Sequence, residues 1–351
     1  MWQYIFKRMI YGFFVILTVV CTIASIIYLS PVDPTRLSFG QLSDAGTVES
    51  KREELGLDKP LATQLAYYLA DLSPISIVEQ KSGLLNKYKY VRLFNFNHKM
   101  MILKWPYLRE SYQSGRPVSQ ILKEAIPMTI ILSLAAIILA TILGIFLGIV
   151  AAVKQGTWLE NTALVFSTIG YSLPSYAAAI FISIVFAYLL HGITGLNMTG
   201  SILELNDAGD KVIVLKNLIL PALALGLRPV SIITQLTRAA MLDNFSKPYV
   251  RTAFAKGLSL KKVTYTHVFR NALNPIITGV TGWFASLITG AFFVENVFNF
   301  RGLGSVTVKA LLDFDIPVVL GAVLFTCIMF VLINILVDIL YAIVDPKVIL
   351  K

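Results

Sequence analysis

The sequence predicts an all-α integral membrane protein with six transmembrane helices, and three observations carry that prediction. Hydrophobic residues make up 56% of the 351 residues and charged ones 14%, against roughly a quarter charged in a soluble domain. Apolar runs of about the 20 residues that a helix needs to cross the hydrocarbon core recur along the chain. Lysine and arginine gather in some connections and not others, as the positive-inside rule expects of cytoplasmic loops. The net charge of +10 therefore reads as loops beside anionic headgroups. Nucleic-acid binding is not expected, because no basic patch is interleaved with stacking aromatics.

The first span is expected over residues 9–29, after a short amphipathic lead holding Lys7 and Arg8. It is too long for a signal-peptide core, and Pro31, Asp33 and Pro34 follow it in place of a small-residue cleavage site. Five further spans are expected at 128–153, 162–190, 218–236, 276–298 and 318–344. Gly144, Gly148, Gly170, Gly226, Gly282 and Gly290 lie within them, where small residues let helices approach closely in lipid. Pro174, Pro221 and Pro229 predict bends or breaks unless neighbours satisfy the freed backbone groups.

With the N-terminus inside, the connections at 154–161 and 237–275 and the C-terminus are cytoplasmic. The second connection holds Arg238, Lys247, Arg251, Lys256, Lys261, Lys262 and Arg270 against the single acid Asp243. On the opposite side, 191–217 has Glu204, Asp207 and Asp210 against Lys211 and Lys216, and 299–317 is balanced between Arg301, Lys309, Asp313 and Asp315. Residues 30–127 carry thirteen lysines and arginines yet fall outside; the rule weakens for loops beyond about 60 residues. The expected organisation is a first helix (1–30), a large extracytoplasmic segment (31–124) and a permease-like core (125–345) that includes the loop 247–275. Within the external segment helical periodicity is expected around Glu53 and over 61–72, punctuated by Gly56 and Pro60. The lysine- and aromatic-rich stretch 81–104 reads as a folded surface with half-buried rings ahead of a docking site.

No chemistry of its own is expected from the chain. Cys21 and Cys327 fall in apolar runs, and His98, His191 and His267 share no metal-ligand spacing. No acid–base pair or activated nucleophile is evident, and no G-x-x-x-x-G-K-[ST] phosphate loop occurs. Polar residues inside spans are functional candidates because they are costly in lipid: Arg228, Gln235, Glu295, Asn334 and Asp338. Asn334 and Asp338, four apart, share a helix face, and helix locking is favoured over pathway lining for them.

The most telling stretch is 249–275, YVRTAFAKGLSLKKVTYTHVFRNALNP. Pro248 is placed for a first helical position after Ser246 as a cap, and Gly257 for a left-handed stop after a short helix. Ser259 then caps a second helix through Leu260, Val263, Val268 and Leu273, with Pro275 marking the start of the next span. Helix, glycine turn, helix makes a knob whose small residues, Ala253 and Ala255, let a partner's groove close on the backbone. By pattern alone the stretch fits equally an amphipathic loop resting on headgroups.

This stretch resembles the coupling loop of binding-protein-dependent ABC transporter permeases of the dipeptide/oligopeptide family, Y-x-R-T-A-x-A-K-G-L followed by H-x-x-R-N-A-L-x-P. The resemblance extends to LGLDKPL at 55–61, GRPV at 115–118, IPMTIILS at 126–133, VENVFNFRGLG at 294–304, DIPVVLGAVL at 315–324 and NILVDILYAIVDPKV at 334–348. Two departures lie outside the loop: Arg301 stands where the family commonly has proline, and the region 73–112 replaces a short glycine-rich stretch. The resemblance implies a type I importer in the bacterial inner membrane, with this chain as half of the pore for di- or oligopeptides. It implies a homologous second permease, two cytoplasmic ATPases that bind ATP and magnesium, and an extracytoplasmic solute-binding protein. It assigns Tyr249, Arg251, Thr252, Ala253, Lys256, Gly257, Arg270, Asn271 and Pro275 to ATPase coupling. Nickel, opines or oligosaccharides stay open as substrates. A stand-alone secondary transporter would favour inverted repeats or discontinuous half-helices, and neither is evident.

Overall fold

The structure is a computed structural model that describes residues 2–29, 46, 49–50, 52–53, 57–79, 88–96 and 99–344. Pro31, Asp33, Pro34, Gly56, His98, residues 81–87 and the last four residues of the 334–348 motif lie outside them.

Helix α1 runs Trp2–Tyr28, so the stretch holding Lys7 and Arg8 is the first turns of the span rather than a separate lead. After it come α2 (Leu61–Leu72) and strands β1 (Ile75–Glu79), β2 (Tyr90–Phe96) and β3 (Lys99–Lys104). The strands form an antiparallel sheet in the order β1-β3-β2. On β3, Met100, Ile102 and Lys104 turn inward, and Lys99, Met101 and Leu103 share the opposite side, the period-2 alternation of a pleated strand.

The apolar runs form helices throughout. Helix α3 spans Val118–Val153, passing through Pro127. It begins ten residues before the expected boundary, at Val118, because polar turns precede its apolar run. The expected third span is a bent pair: α4 (Trp158–Ser172) and α5 (Ser175–Leu189) meet at 112°. Pro174 is the cause. It bars a helical conformation at Leu173, whose ψ is 136°, by crowding the preceding backbone. A small hairpin of β4 (Leu203–Leu205) and β5 (Lys211–Ile213) follows. Helix α6 covers Ile219–Phe245, nine residues past the expected stop at 236. Its Pro221 sits in the first turn, where no N–H bond is lost. Next come α7 (Pro248–Ala255) and α8 (Leu260–Val297). The chain closes with α9 (Leu303–Leu312) and α10 (Ile316–Val344). Among the described residues five helices are long and apolar enough to cross a membrane, or six if the bent pair counts as one.

The chain divides into two compact units. One comprises Met1–Gly12, Ala125–Ser305 and Ile328–Lys351; the other comprises Phe13–Glu124 and Val306–Cys327. In the first, α6 is the hub. A Cβ at Gly148 of α3 would sit 2.8 Å from the Thr234 carbonyl, and one at Gly226 would sit 3.0 Å from the Ala136 carbonyl. Gly144 and Gly170 meet α6 in the same way, whereas Gly290 faces open space. Gly279, not singled out from sequence, closes on Leu236 instead.

The second unit has its own core of Val20 and Ala24 from α1, Tyr68 from α2, and Ile316 and Leu320 from α10. Buried Asp315 accepts from the Ser111 hydroxyl and, at 3.0 Å, from the Tyr112 N–H. Asp71 accepts from the Tyr88 hydroxyl and from Arg109 Nε, each at 2.8 Å. Burial, and then the bond to Asp71, holds the Tyr88 hydroxyl above its ordinary pKa, so it stays a donor.

Gly148→Val should destabilise the purified complex by about 2 kcal/mol through overpacking, read as a lowered midpoint of thermal aggregation. Asp315→Ala strands the buried Ser111 hydroxyl and the Tyr112 amide at a cost of about 2 kcal/mol. Limited proteolysis should then cut residues 106–117 faster than in the parent.

Candidate functional site

The connection between α6 and α8 folds as a compact projection because its apolar residues fall on one side. Pro248 opens α7 at its first position, with Lys247 rather than Ser246 in the capping place and no side-chain cap bond. The Ser246 hydroxyl donates backward to the Asp243 carbonyl at 2.7 Å, which corrects its expected role. Val250 and Ala253, three apart, are buried in the main core with Val263, Val268 and Ala272. Ala253 thus seats α7 on its own chain, a correction to its expected place in a partner's groove. Ala255 remains exposed.

Gly257 adopts φ 76°, the left-handed conformation that side chains resist. Its N–H bonds the Phe254 carbonyl at 2.9 Å, and the Leu258 N–H bonds the Ala253 carbonyl at 3.3 Å. That pair of bonds is the Schellman closure of a helix. Ser259 stands at the cap position of α8 without a side-chain bond. Helix α8 then runs unbroken through Pro275, so the span begins within the projection and Pro275 does not mark its start.

Two of the predicted coupling residues hold the projection together. The Tyr249 hydroxyl donates to Asn244 Oδ1 at 2.8 Å and accepts from Asn271 Nδ2 at 3.2 Å, tying the end of α6 to α8. Arg251, Thr252, Lys256 and Arg270 are exposed, as are the apolar Phe254 and Tyr265. The exposed side of α7 is therefore cationic beside Phe254, and Tyr265 is exposed on α8.

Sequence reasoning missed one ion pair near this connection. Glu160, in the first turn of α4, accepts from the Gly156 N–H at 2.6 Å and from Arg238 Nε at 2.7 Å. Its signal was legible in Thr157-x-x-Glu160, the spacing of a capping box. In the sequence Arg238 reads only as a loop cation.

The polar span residues part company. Glu295 is fully buried. It accepts from the Thr129 hydroxyl at 2.6 Å and from the Gly304 and Ser305 amides at 2.7 and 3.1 Å. A side chain at Gly302 or Gly304 would collide with that carboxylate, which accounts for the glycines of the GLG motif. Asp338 accepts from the Tyr4 hydroxyl at 2.6 Å and pairs with Arg8 at 2.9 Å. Among the described residues Asn334 donates to its own helix, to the Phe330 carbonyl at 2.7 Å. Arg228 and Gln235 are exposed on α6.

Residues 144–350 match the family described as binding-protein-dependent transport system inner membrane component, and residues 1–135 match its N-terminal companion. The chain belongs to this family of membrane permease subunits. A permease of Brucella abortus (strain 2308), named for a peptide transport system, is 35% identical over 345 residues, 98% of each chain. The glutathione transport system permease protein of Shigella flexneri serotype 5b (strain 8401) is 30% identical over 99% of each chain. An inward-facing structure of the MetNI methionine ABC transporter matches with TM-score 0.52 at 15% identity, over 64% of this chain and 97% of that one, a likeness of fold.

Glu160→Arg should break the α4–α6 tie and lower the yield of folded protein in membranes. Adding Arg238→Glu should restore part of that yield, measured by size-exclusion of detergent extracts.

Proposed function

We propose that this chain is half of the membrane pathway of a peptide importer, driven by a separate ATPase that grips the α6–α8 projection. The observation that carries the reading is the projection itself. Helix α7 is braced from behind by Val250 and Ala253, closed by Gly257, and shows a cationic aromatic face outward. Such a face suits a socket on a soluble partner, because buried rings dominate interface energies. The excess of lysine and arginine in 237–275 supports a cytoplasmic side for it and for both termini, with residues 30–127 outside. Peptide as cargo is supported by relatives named for peptide, dipeptide and glutathione transport.

In this reading the assembly adds a homologous second permease, two ATPases that hold ATP and magnesium, and a solute-binding protein outside. Residues of this chain do no bond chemistry. Nucleotide shifts the permease between states only through contacts that differ between them. A projection continuous with α8 converts those contacts into movement of a whole span. The exposed Tyr265, Arg251, Thr252, Lys256, Phe254 and Arg270 are the contact set; Tyr249, Asn271, Ala253 and Gly257 shape it.

Phe254→Asp should reduce ATPase retained on the purified permease roughly thirtyfold, the factor for losing about 2 kcal/mol at an interface anchor. Membrane insertion should stay unchanged. Full retention of the ATPase by this variant would refute the grip.

A further inference from the structure

Arg228, in the body of α6, is a charge that the described residues leave unanswered. Nine residues, roughly 14 Å of helix, separate it from the start of α6 at Ile219. It is exposed and has no hydrogen bond, ion pair or ring contact among the described residues. The other span charges are treated differently. Inside the expected spans Asp338 meets Arg8, and Glu295 meets a hydroxyl and two amides. An arginine left facing lipid at that depth would cost about 3 kcal/mol or more, so its face belongs to water, cargo or a partner chain, and the pathway reading selects the first two.

The neighbouring helix supplies the rest of a lining. Asn244 is bridged to Asn271 through Tyr249, and Leu236 touches Gly279, so α6 and α8 run antiparallel. That register puts Arg228 level with Ser286 and Leu287. On α6 the exposed Arg228 and Gln235 lie seven residues apart and on one side. On α8 the exposed Thr278, Gly282 and Ser286 follow at four-residue steps. With the helices antiparallel and in contact at Leu236 and Gly279, both faces open on the same side. Leu287 and Ile276 turn to the core on the other.

We propose that Arg228 is an anion-binding point on this polar face, taking the terminal carboxylate of a peptide in transit. The inference rests on the pathway reading above. A guanidinium presents a planar fork of donors that matches a carboxylate in two parallel bonds. Peptides that differ in every side chain share that carboxylate, so one fixed cation serves varied cargo. The neutral hydroxyls of Thr278 and Ser286 add contacts without trapping it as a second charge would.

The test uses the complete importer in membrane vesicles, with Cys21→Ala and Cys327→Ala as background and Gln235→Cys as reporter. The reporter lies about 10 Å from Arg228 along the helix. An anionic methanethiosulfonate should modify it at least about threefold faster, relative to a cationic one, than in Arg228→Gln. Arg228→Lys should keep the preference. Trialanine should slow modification while trialanine amide does not, and Arg228→Gln should abolish that protection. A thiol unreactive to both reagents overturns the pathway reading, because the face is then sealed by lipid or by a partner chain. A reactive thiol whose preference ignores Arg228→Gln, or which both peptides protect equally or neither protects, leaves the pathway standing and overturns the carboxylate site.

Discussion

A charge inside a bilayer must be answered, and the energy at stake is about 3 kcal/mol or more for each one left alone. That constraint organises this chain. Within the expected spans Asp338 joins the start of α1 to α10 through Tyr4 and Arg8, and just beyond them Glu160 and Arg238 join α4 to α6. Glu295 fastens the end of α8 to the backbone at Gly304 and Ser305. Each answered charge is therefore also a fastener between elements distant in sequence. Small residues set the remaining geometry, since lipid offers no hydrophobic drive for helices to meet. Gly148 and Gly226 let α3 lie against α6 at backbone distance.

The same logic shapes the projection between α6 and α8. Its cations keep the outer face in water, and its two small apolar residues, Val250 and Ala253, anchor the inner face in the core. The Schellman bonds around Gly257 return the chain at once into α8, with no slack between contact surface and span. In the proposed mechanism this rigidity matters more than any single contact, because a loose loop would absorb the ATPase's movement. Tyr249 serves that stiffness by bridging Asn244 and Asn271.

Much of this was legible in the residues. The apolar runs gave the helices, Gly257 gave the left-handed stop, and Pro174 gave the break between α4 and α5. Other features were not. Strands β1 to β3 are short and carry apolar side chains on both faces, such as Ile77 with Val78 and Met100 with Met101, so no period-2 signal stood out. Ala253 and Ala255 look alike in sequence, and only packing decides that one turns inward. Pro275 reads as a helix start, but long spans tolerate proline where neighbouring groups satisfy the freed carbonyl. The Glu160–Arg238 pair joins residues far apart in the chain, where a local pattern shows one half at most.

The most direct measurement is photo-crosslinking from position 254 in the intact complex, with a benzophenone amino acid in place of Phe254. The proposed grip predicts a covalent adduct with the nucleotide-hydrolysing subunit, formed in intact membranes and lost when that subunit is stripped away. Adducts confined to lipid, or formed with a protein on the opposite side of the membrane, would contradict it.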